Sequence, residues 1–297
     1  MTKKLFIATS TFDAENQGLL KVLKINKVKF NLNPLKRKLN SKELIRYSEN
    51  ATHIIAGTEL YNKEILSKLK NLKMIFRLGS GIDNIDLGIA GIKKIKVIKS
   101  EVTLEKAVGE LTVGLIINLL RKISLHNQNL KKNIWKKQMG NLLFGKTVGI
   151  VGYGKIGKYV EKILKNFGVK ILINDKKKVK NKTSLKNLII NSDIITLHTN
   201  YNNENLNLLN KNNLKFLKKN SIIVNTSRPE IIDYNYLYKI LKLKRIKGAA
   251  LDVFNKEPYS GKFRLLDNTI LTPHIGSYAK EIRVAMEKEA VNSIIKN

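Results

Sequence analysis

Residues 145–157 read Gly145-Lys-Thr-Val-Gly-Ile-Val-Gly-Tyr-Gly-Lys-Ile-Gly157, an amphipathic run follows, and a second apolar stretch ends at Asp175. No other feature of the chain constrains its fold as much. Val148 to Val151 make a short apolar strand, and Gly152, Gly154 and Gly157 supply a G-x-G-x-x-G turn at its end. Gly152 lets the chain turn sharply, Gly154 has no Cβ to hold a pyrophosphate off the backbone, and Gly157 lets the next helix approach the strand. Val160, Ile163, Leu164 and Phe167 then recur at helical spacing, and Gly168 is placed to end the helix. Free N–H groups at such a helix start suit phosphates. Asp175 stands eighteen residues beyond Gly157, close to the separation of about twenty expected of an acid that accepts from a ribose 2′-OH. A carboxylate there repels a 2′-phosphate, so NAD is expected rather than NADP. The run Lys176-Lys-Lys178 reads as a solvated turn, although cations there also screen that repulsion.

At 297 residues the chain has room for two domains, and 43% hydrophobic residues suit sizeable cores. Its N-terminus opens on a strand rather than a signal peptide, and a cytoplasmic protein is expected. The absence of cysteine excludes disulfides, thiolate nucleophiles and Cys-based zinc sites, and four scattered histidines leave little for a metal centre. Lys and Arg number 56 against 23 Asp and Glu, a formal charge of +33 that raises the question of a polyanion partner. The basic residues are spread along the whole length, do not interleave with aromatics and carry no nucleic-acid-binding signature. No specific nucleic-acid partner and no membrane partner are expected.

Short apolar runs alternate with helix-like segments: Leu5–Thr9, Val28–Leu32, His53–Ala56, Met74–Leu78 and Lys96–Ile98, then from Gly145 a second series at 148–151, 170–174, 193–197, 221–225, 247–251 and 269–271. This alternation predicts parallel sheets covered by helices. Leu104–Ser124 predicts one long helix crossing between domains, Asn200–Asn213 a polar loop, and Ala279–Ile295 a helix returning to the N-terminal domain.

Three further stretches accompany the fingerprint: Arg77-Leu-Gly-Ser-Gly-Ile-Asp-Asn-Ile-Asp86, Asn225-Thr-Ser-Arg228, and Leu251-Asp-Val-Phe-Asn-Lys-Glu257-Pro followed by Thr272-Pro-His274-Ile-Gly276. In order and spacing the chain resembles the D-isomer-specific 2-hydroxyacid dehydrogenase family, most of all its phosphoglycerate dehydrogenase-type members without a C-terminal regulatory domain. The resemblance implies an α/β protein of two doubly wound parallel-sheet domains, with a Rossmann-type NAD-binding domain, 99–274, inserted into a smaller flavodoxin-like substrate domain, 1–98 and 275–297. It implies an NAD-dependent oxidoreductase moving a hydride between nicotinamide and C2 of a D-2-hydroxy acid or 2-oxo acid, with 3-phosphoglycerate (and so serine biosynthesis) or hydroxypyruvate and glyoxylate as leads, and a homodimer with the 104–124 helix near its interface.

The catalytic residues carried over from the family are Arg228, Glu257 and His274. Arginine offers a planar fork to a substrate carboxylate, histidine exchanges the hydroxyl proton, and the glutamate holds and charges the imidazole. The implied cofactor contacts are Gly152, Gly154, Lys155, Ile156, Gly157, Asp175, Thr199, Thr226 and Asp252. Substrate contacts are Ser80, Gly81 and Arg228, with Asp83 and Asn84 bracing the turn. His198 reads as a strand-end cap.

Two departures stand out. Pro229 follows the arginine where the family usually has glycine, which restricts Arg228 to extended conformations. Ala56-Gly57-Thr58 stands where 3-phosphoglycerate enzymes commonly place an arginine and serine, so no phosphate clamp is evident there. Pro229 also keeps open an alternative, an NADH-sensing, corepressor-like binding protein without turnover.

Overall fold

Among the described residues every strand is short and pairs in parallel with its neighbours. The computed structural model describes residues 3–180 and 182–297. Its first part runs β1 (Lys4–Ile7), α1 (Leu19–Ile25), β2 (Lys29–Leu32), α2 (Ser41–Ser48), β3 (His53–Ala56), α3 (Lys63–Lys68), β4 (Met74–Arg77), α4 (Leu87–Ile92) and β5 (Lys96–Lys99). The strands form a five-stranded sheet in the order β2-β1-β3-β4-β5. β3 and β4 are buried along their whole length, as parallel strands covered on both faces must be.

The chain then enters α5 (Glu105–Arg121) and α6 (Ile123–Lys131), followed by β6 (Thr147–Val151), α7 (Lys155–Lys165), β7 (Lys170–Asn174), α8 (Leu185–Asn191), β8 (Ile194–Leu197), α9 (Lys211–Leu214), β9 (Ile222–Asn225), α10 (Tyr234–Lys242), β10 (Gly248–Leu251) and β11 (Thr269–Leu271). Here the sheet order is β11-β10-β9-β8-β6-β7. α11 (Lys280–Lys296) packs on β4 and α1, back in the first sheet's unit. The two compact units are Met1–Leu104 with Ser277–Asn297, and Glu105–Gly276. The fold is therefore two doubly wound parallel-sheet units, one inserted into the other.

The division falls at 104/105 and 276/277, a few residues beyond the boundaries read from sequence. The cause is local. The Ser100 hydroxyl and the Glu101 N–H both donate to Glu289 of α11, and Val102 and Leu104 join the apolar cluster of the first unit. The segment after β5 thus belongs to the first unit until α5 begins.

The expected single helix over 104–124 is two helices. Lys122 adopts φ +54 between them, and the Asn118 side chain bonds both the N–H and the hydroxyl of Ser124. The Asn-rich loop also carries structure, because Asn202 caps a 3₁₀ turn at Asn203–Asn205 and Asn210 caps α9. Among the described residues no helix is long and apolar enough to cross a membrane.

Candidate active site

In each sheet the direction of winding reverses at the first strand of the unit, and open parallel sheets take their ligands beyond the carboxyl ends of the strands at that point. In the second unit those strands are β6 and β8. Gly152 leaves β6 at φ +91, and a Cβ on it would stand 2.5 Å from the Thr199 backbone nitrogen. A Cβ on Gly157 would lie 2.2 Å from the Gly152 carbonyl oxygen, so this glycine is required by the backbone of the turn itself. Gly154 differs from both. It is the N-cap of α7, no side chain caps it, and a Cβ there would meet nothing within 4 Å. Open space thus lies beside the N-terminus of an eleven-residue helix. Lys155 opens that helix on the exposed side, and Ile156 packs against the core beneath.

Asp175 closes the far side of the turn. One carboxylate oxygen accepts from the Tyr153 N–H at 2.5 Å and the other from the Lys177 N–H at 2.7 Å. The Lys176 ammonium pairs with Glu204, in the loop after β8. Thr199 follows β8, and its carbonyl accepts from the Ser227 hydroxyl, which ties the loops after β8 and β9 together. The Thr226 hydroxyl is paired with Thr112 of α5 at 3.0 Å and is almost completely buried.

A second constellation lies at the ends of β9, β10 and β11. The His274 Nδ1 stands 3.1 and 3.2 Å from the two Glu257 carboxylate oxygens, and Glu257 also accepts from the Phe254 N–H. His274 adopts φ +56, a conformation rare outside glycine, so the turn around it has to be held by its surroundings. Asp252 does the holding. Its carboxylate, fully buried, accepts from the Thr272 hydroxyl at 2.6 Å and from the Ile275 and Gly276 N–H groups at 2.8 Å. Burial pushes the Asp252 carboxyl above the usual carboxylate range, against the pull of these donors and of His274.

Arg228 is extended, at φ −139 and ψ 141, as a residue before proline must be. Pro229 is buried and opens a 3₁₀ turn at Pro229–Ile231, where its missing N–H goes unnoticed. The guanidinium donates to the Ser227 carbonyl, and the Arg228 carbonyl accepts from Asn225 Nδ2 at 2.9 Å. Asn225 reaches Tyr234, whose hydroxyl donates to the Val253 carbonyl at 2.8 Å, so the arginine loop and the segment after β10 that bears Asp252 share one network.

The model of the "D-isomer specific 2-hydroxyacid dehydrogenase, NAD binding domain" family matches residues 113–276, more than half of the chain. A hydroxypyruvate reductase of Thermotoga maritima is 36% identical over 254 residues, covering 82% of this chain and 83% of that one. The chain belongs to the D-isomer-specific 2-hydroxyacid dehydrogenases. A D-3-phosphoglycerate dehydrogenase of Methanocaldococcus jannaschii is 34% identical over 261 residues, which are 83% of this chain and half the length of that enzyme. Among solved structures, the NAD⁺-bound 3-phosphoglycerate dehydrogenase of Entamoeba histolytica superposes with a TM-score of 0.81 at 25% identity, covering 100% of this chain and 95% of that one. The cofactor of this dehydrogenase domain is NAD, and the residues present fit it: the Cβ-free ground at Gly154 and the uncapped start of α7 are room and donors for a pyrophosphate.

In the other unit of this dehydrogenase, β3 and β4 end side by side, with Ala56 opposite Arg77. Gly79 follows at φ +153, then Ser80, exposed, and Gly81. Asn84 braces the turn: its Nδ2 donates to the carbonyls of Gly57 and Glu59 at 3.2 and 2.6 Å, and its Oδ1 accepts from Arg77 Nε at 3.3 Å.

His198 is buried with Nε2 on the Thr196 hydroxyl at 2.9 Å, and burial pushes its pKa down to about 3. The sequence reading missed three site groups: Glu59, the role of Asp252 as brace of the histidine turn, and the Asn225–Tyr234 link. Asp252 and Asn225 lie inside motifs that were read. Nothing in the sequence marks Tyr234.

Proposed function

We propose that this chain is an NAD-dependent D-2-hydroxyacid dehydrogenase acting on a small 2-oxo acid of the hydroxypyruvate, glyoxylate or 3-phosphohydroxypyruvate class. The observation that carries the reading is the His274–Glu257 pair on a turn braced by Asp252. Bound NADH supplies the hydride that adds to C2 of the 2-oxo acid. Glu257 fixes the imidazole through Nδ1, so Nε2, on the far side of the ring, is the atom that delivers the proton the carbonyl oxygen needs as C2 is reduced. Arg228 is the cation for the substrate's carbonyl oxygen, and in the first unit the backbone amides at Ser80 and Gly81 are donors suited to a carboxylate. Asp175 takes the adenosine ribose 2′-OH and disfavours a 2′-phosphate.

The reading is supported by relatives named for reductases and dehydrogenases of these acids. The exposed apolar residues Leu130, Ile134, Trp135, Met139, Leu142 and Phe144, all in one stretch after α5, support a homodimer. α5 itself gives its apolar face to α7 and the second sheet.

The test is NADH oxidation, followed at 340 nm, with hydroxypyruvate, glyoxylate, pyruvate and 3-phosphohydroxypyruvate, for the native chain and His274→Gln. Saturable oxidation with at least one acid is expected, falling by about two to four orders of magnitude in the variant while NADH binding persists. NADH binding without turnover of any acid would sink the dehydrogenase reading. Unchanged turnover in the variant would remove His274 from its role.

A further inference from the structure

The reversal point of the first sheet lies between β1 and β3, where an open parallel sheet of this order takes its ligand. The residues just beyond those strands are Thr9 and Gly57, and a Cβ on Gly57 would stand 3.4 Å from Thr9 Cγ2. A backbone N–H at such a position is a natural donor to an anionic group. The Gly57 N–H is already taken. It donates to Glu59 Oε2 at 2.9 Å, and Glu59 is only 2% exposed. Asn84 fixes the loop by holding both the Gly57 and Glu59 carbonyls.

The nearby cations do not supply a free anion site either. Arg77 is buried, with Nη1 on the Leu78 carbonyl at 2.5 Å and Nε on Asn84. Burial pushes the Glu59 carboxyl above the usual carboxylate range, against the pull of its backbone donors and of Lys38 and Arg77. The loop therefore carries its own acidic acceptor for the Gly57 N–H.

This bears on substrate, given the function proposed above. With the substrate carboxylate on the Ser80–Gly81 amides, the loop at 57–59 adjoins it, because β3 and β4 end in register and Asn84, in the same turn as Ser80 and Gly81, holds the Gly57 and Glu59 carbonyls. We propose that Glu59 is a specificity-determining residue: its buried carboxylate occupies the anion donor of this loop, so the enzyme reduces 2-oxo acids with short uncharged tails and discriminates against a phosphorylated tail. A phosphate monoester carries close to two negative charges near neutral pH and would face that carboxylate at short range.

The experiment compares kcat/KM for hydroxypyruvate and 3-phosphohydroxypyruvate in the native chain and in Glu59→Gln. Glutamine still offers an oxygen to the Gly57 N–H but removes the charge and releases the field of Arg77 and Lys38. The native chain is expected to favour hydroxypyruvate by about tenfold or more, and the variant to raise the relative kcat/KM of the phosphorylated acid by about fivefold or more, chiefly through KM. Native preference for the phosphorylated acid, or equal use of both, overturns the inference while leaving the dehydrogenase reading intact. A variant that folds yet leaves the ratio unmoved also overturns it. Should the variant not fold, inhibition of native hydroxypyruvate reduction by 3-phosphoglycerate and by D-glycerate decides: glycerate is expected to inhibit more strongly, and the reverse order overturns the inference. Turnover of neither acid, with NADH bound, overturns the parent reading and this inference with it.

Discussion

Three glycines within six residues, Gly152, Gly154 and Gly157, do three different things, and one methyl group separates them. Alanine at 157 would place its Cβ 2.2 Å from the Gly152 carbonyl oxygen, a backbone atom that cannot move without opening the turn. Alanine at 154 would project into empty space from a residue at φ −77, where no backbone strain arises. Gly154→Ala is therefore expected to keep the native melting temperature within about 2 °C while weakening NADH binding about tenfold or more, since the methyl stands where the pyrophosphate approaches. Gly157→Ala is expected to lose about 2 kcal/mol or more of stability. Calorimetry with fluorescence titration of NADH separates the two, and equal loss of stability in both would refute the division of roles. The tight turn itself was legible in the sequence because G-x-G-x-x-G encodes backbone geometry. The roles of Asp252 and Glu59 were not, because each depends on which N–H groups the fold brings to a carboxylate, and those donors lie as far away as Gly276 or inside an unremarkable loop.

At the level of elements, apolar runs located the strands well because buried parallel strands tolerate little else, and β3, β8, β9 and β10 are buried at every position. Breaks were harder to see. The split after Arg121 rests on an Asn118–Ser124 side-chain contact that competes with the helix ladder, while apolar spacing runs on through Ile123. The end of β8 carries a consequence for pH. His198 is buried there as a neutral ring, its pKa pushed from 6.5 down to about 3. The unfolded chain takes up a proton at this ring below about pH 6.5 and the folded chain does not, so stability is full above that value and falls as the pH drops towards 3. Between pH 6.5 and 5 the loss attributable to this ring is about 2 kcal/mol at most. Urea unfolding of the native chain and His198→Gln across that range should show the variant losing less stability on acidification. Parallel curves would mean that the ring is not desolvated as its burial indicates.

For the whole molecule, the +33 charge and the exposed apolar stretch after α5 act against each other. Six large apolar side chains in 130–144, with Trp135 and Met139 more than four-fifths exposed, favour association of two copies. Two copies of so basic a chain repel at long range, and the repulsion weakens as the Debye length falls to about 8 Å near 0.15 M salt. Ion pairs such as Lys176 with Glu204, Lys244 with Asp267 and Lys280 with Glu15 join exposed groups, and 23 acidic residues cannot match 56 basic ones. Association is therefore expected to strengthen with salt, opposite to the behaviour of a protein whose subunits attract by charge. Light scattering at micromolar concentration should give a mass near twice 33.8 kDa in 0.3 M NaCl and a larger monomer fraction in 0.02 M NaCl. Trp135→Ser with Met139→Ser should shift the protein to monomer at both salts, because it removes the apolar term and leaves the charge unchanged. A native chain that stays monomeric in 0.3 M NaCl would show that this apolar surface does not join two copies, and a dimer that loosens as salt rises would show that charge, not the 130–144 stretch, holds it together.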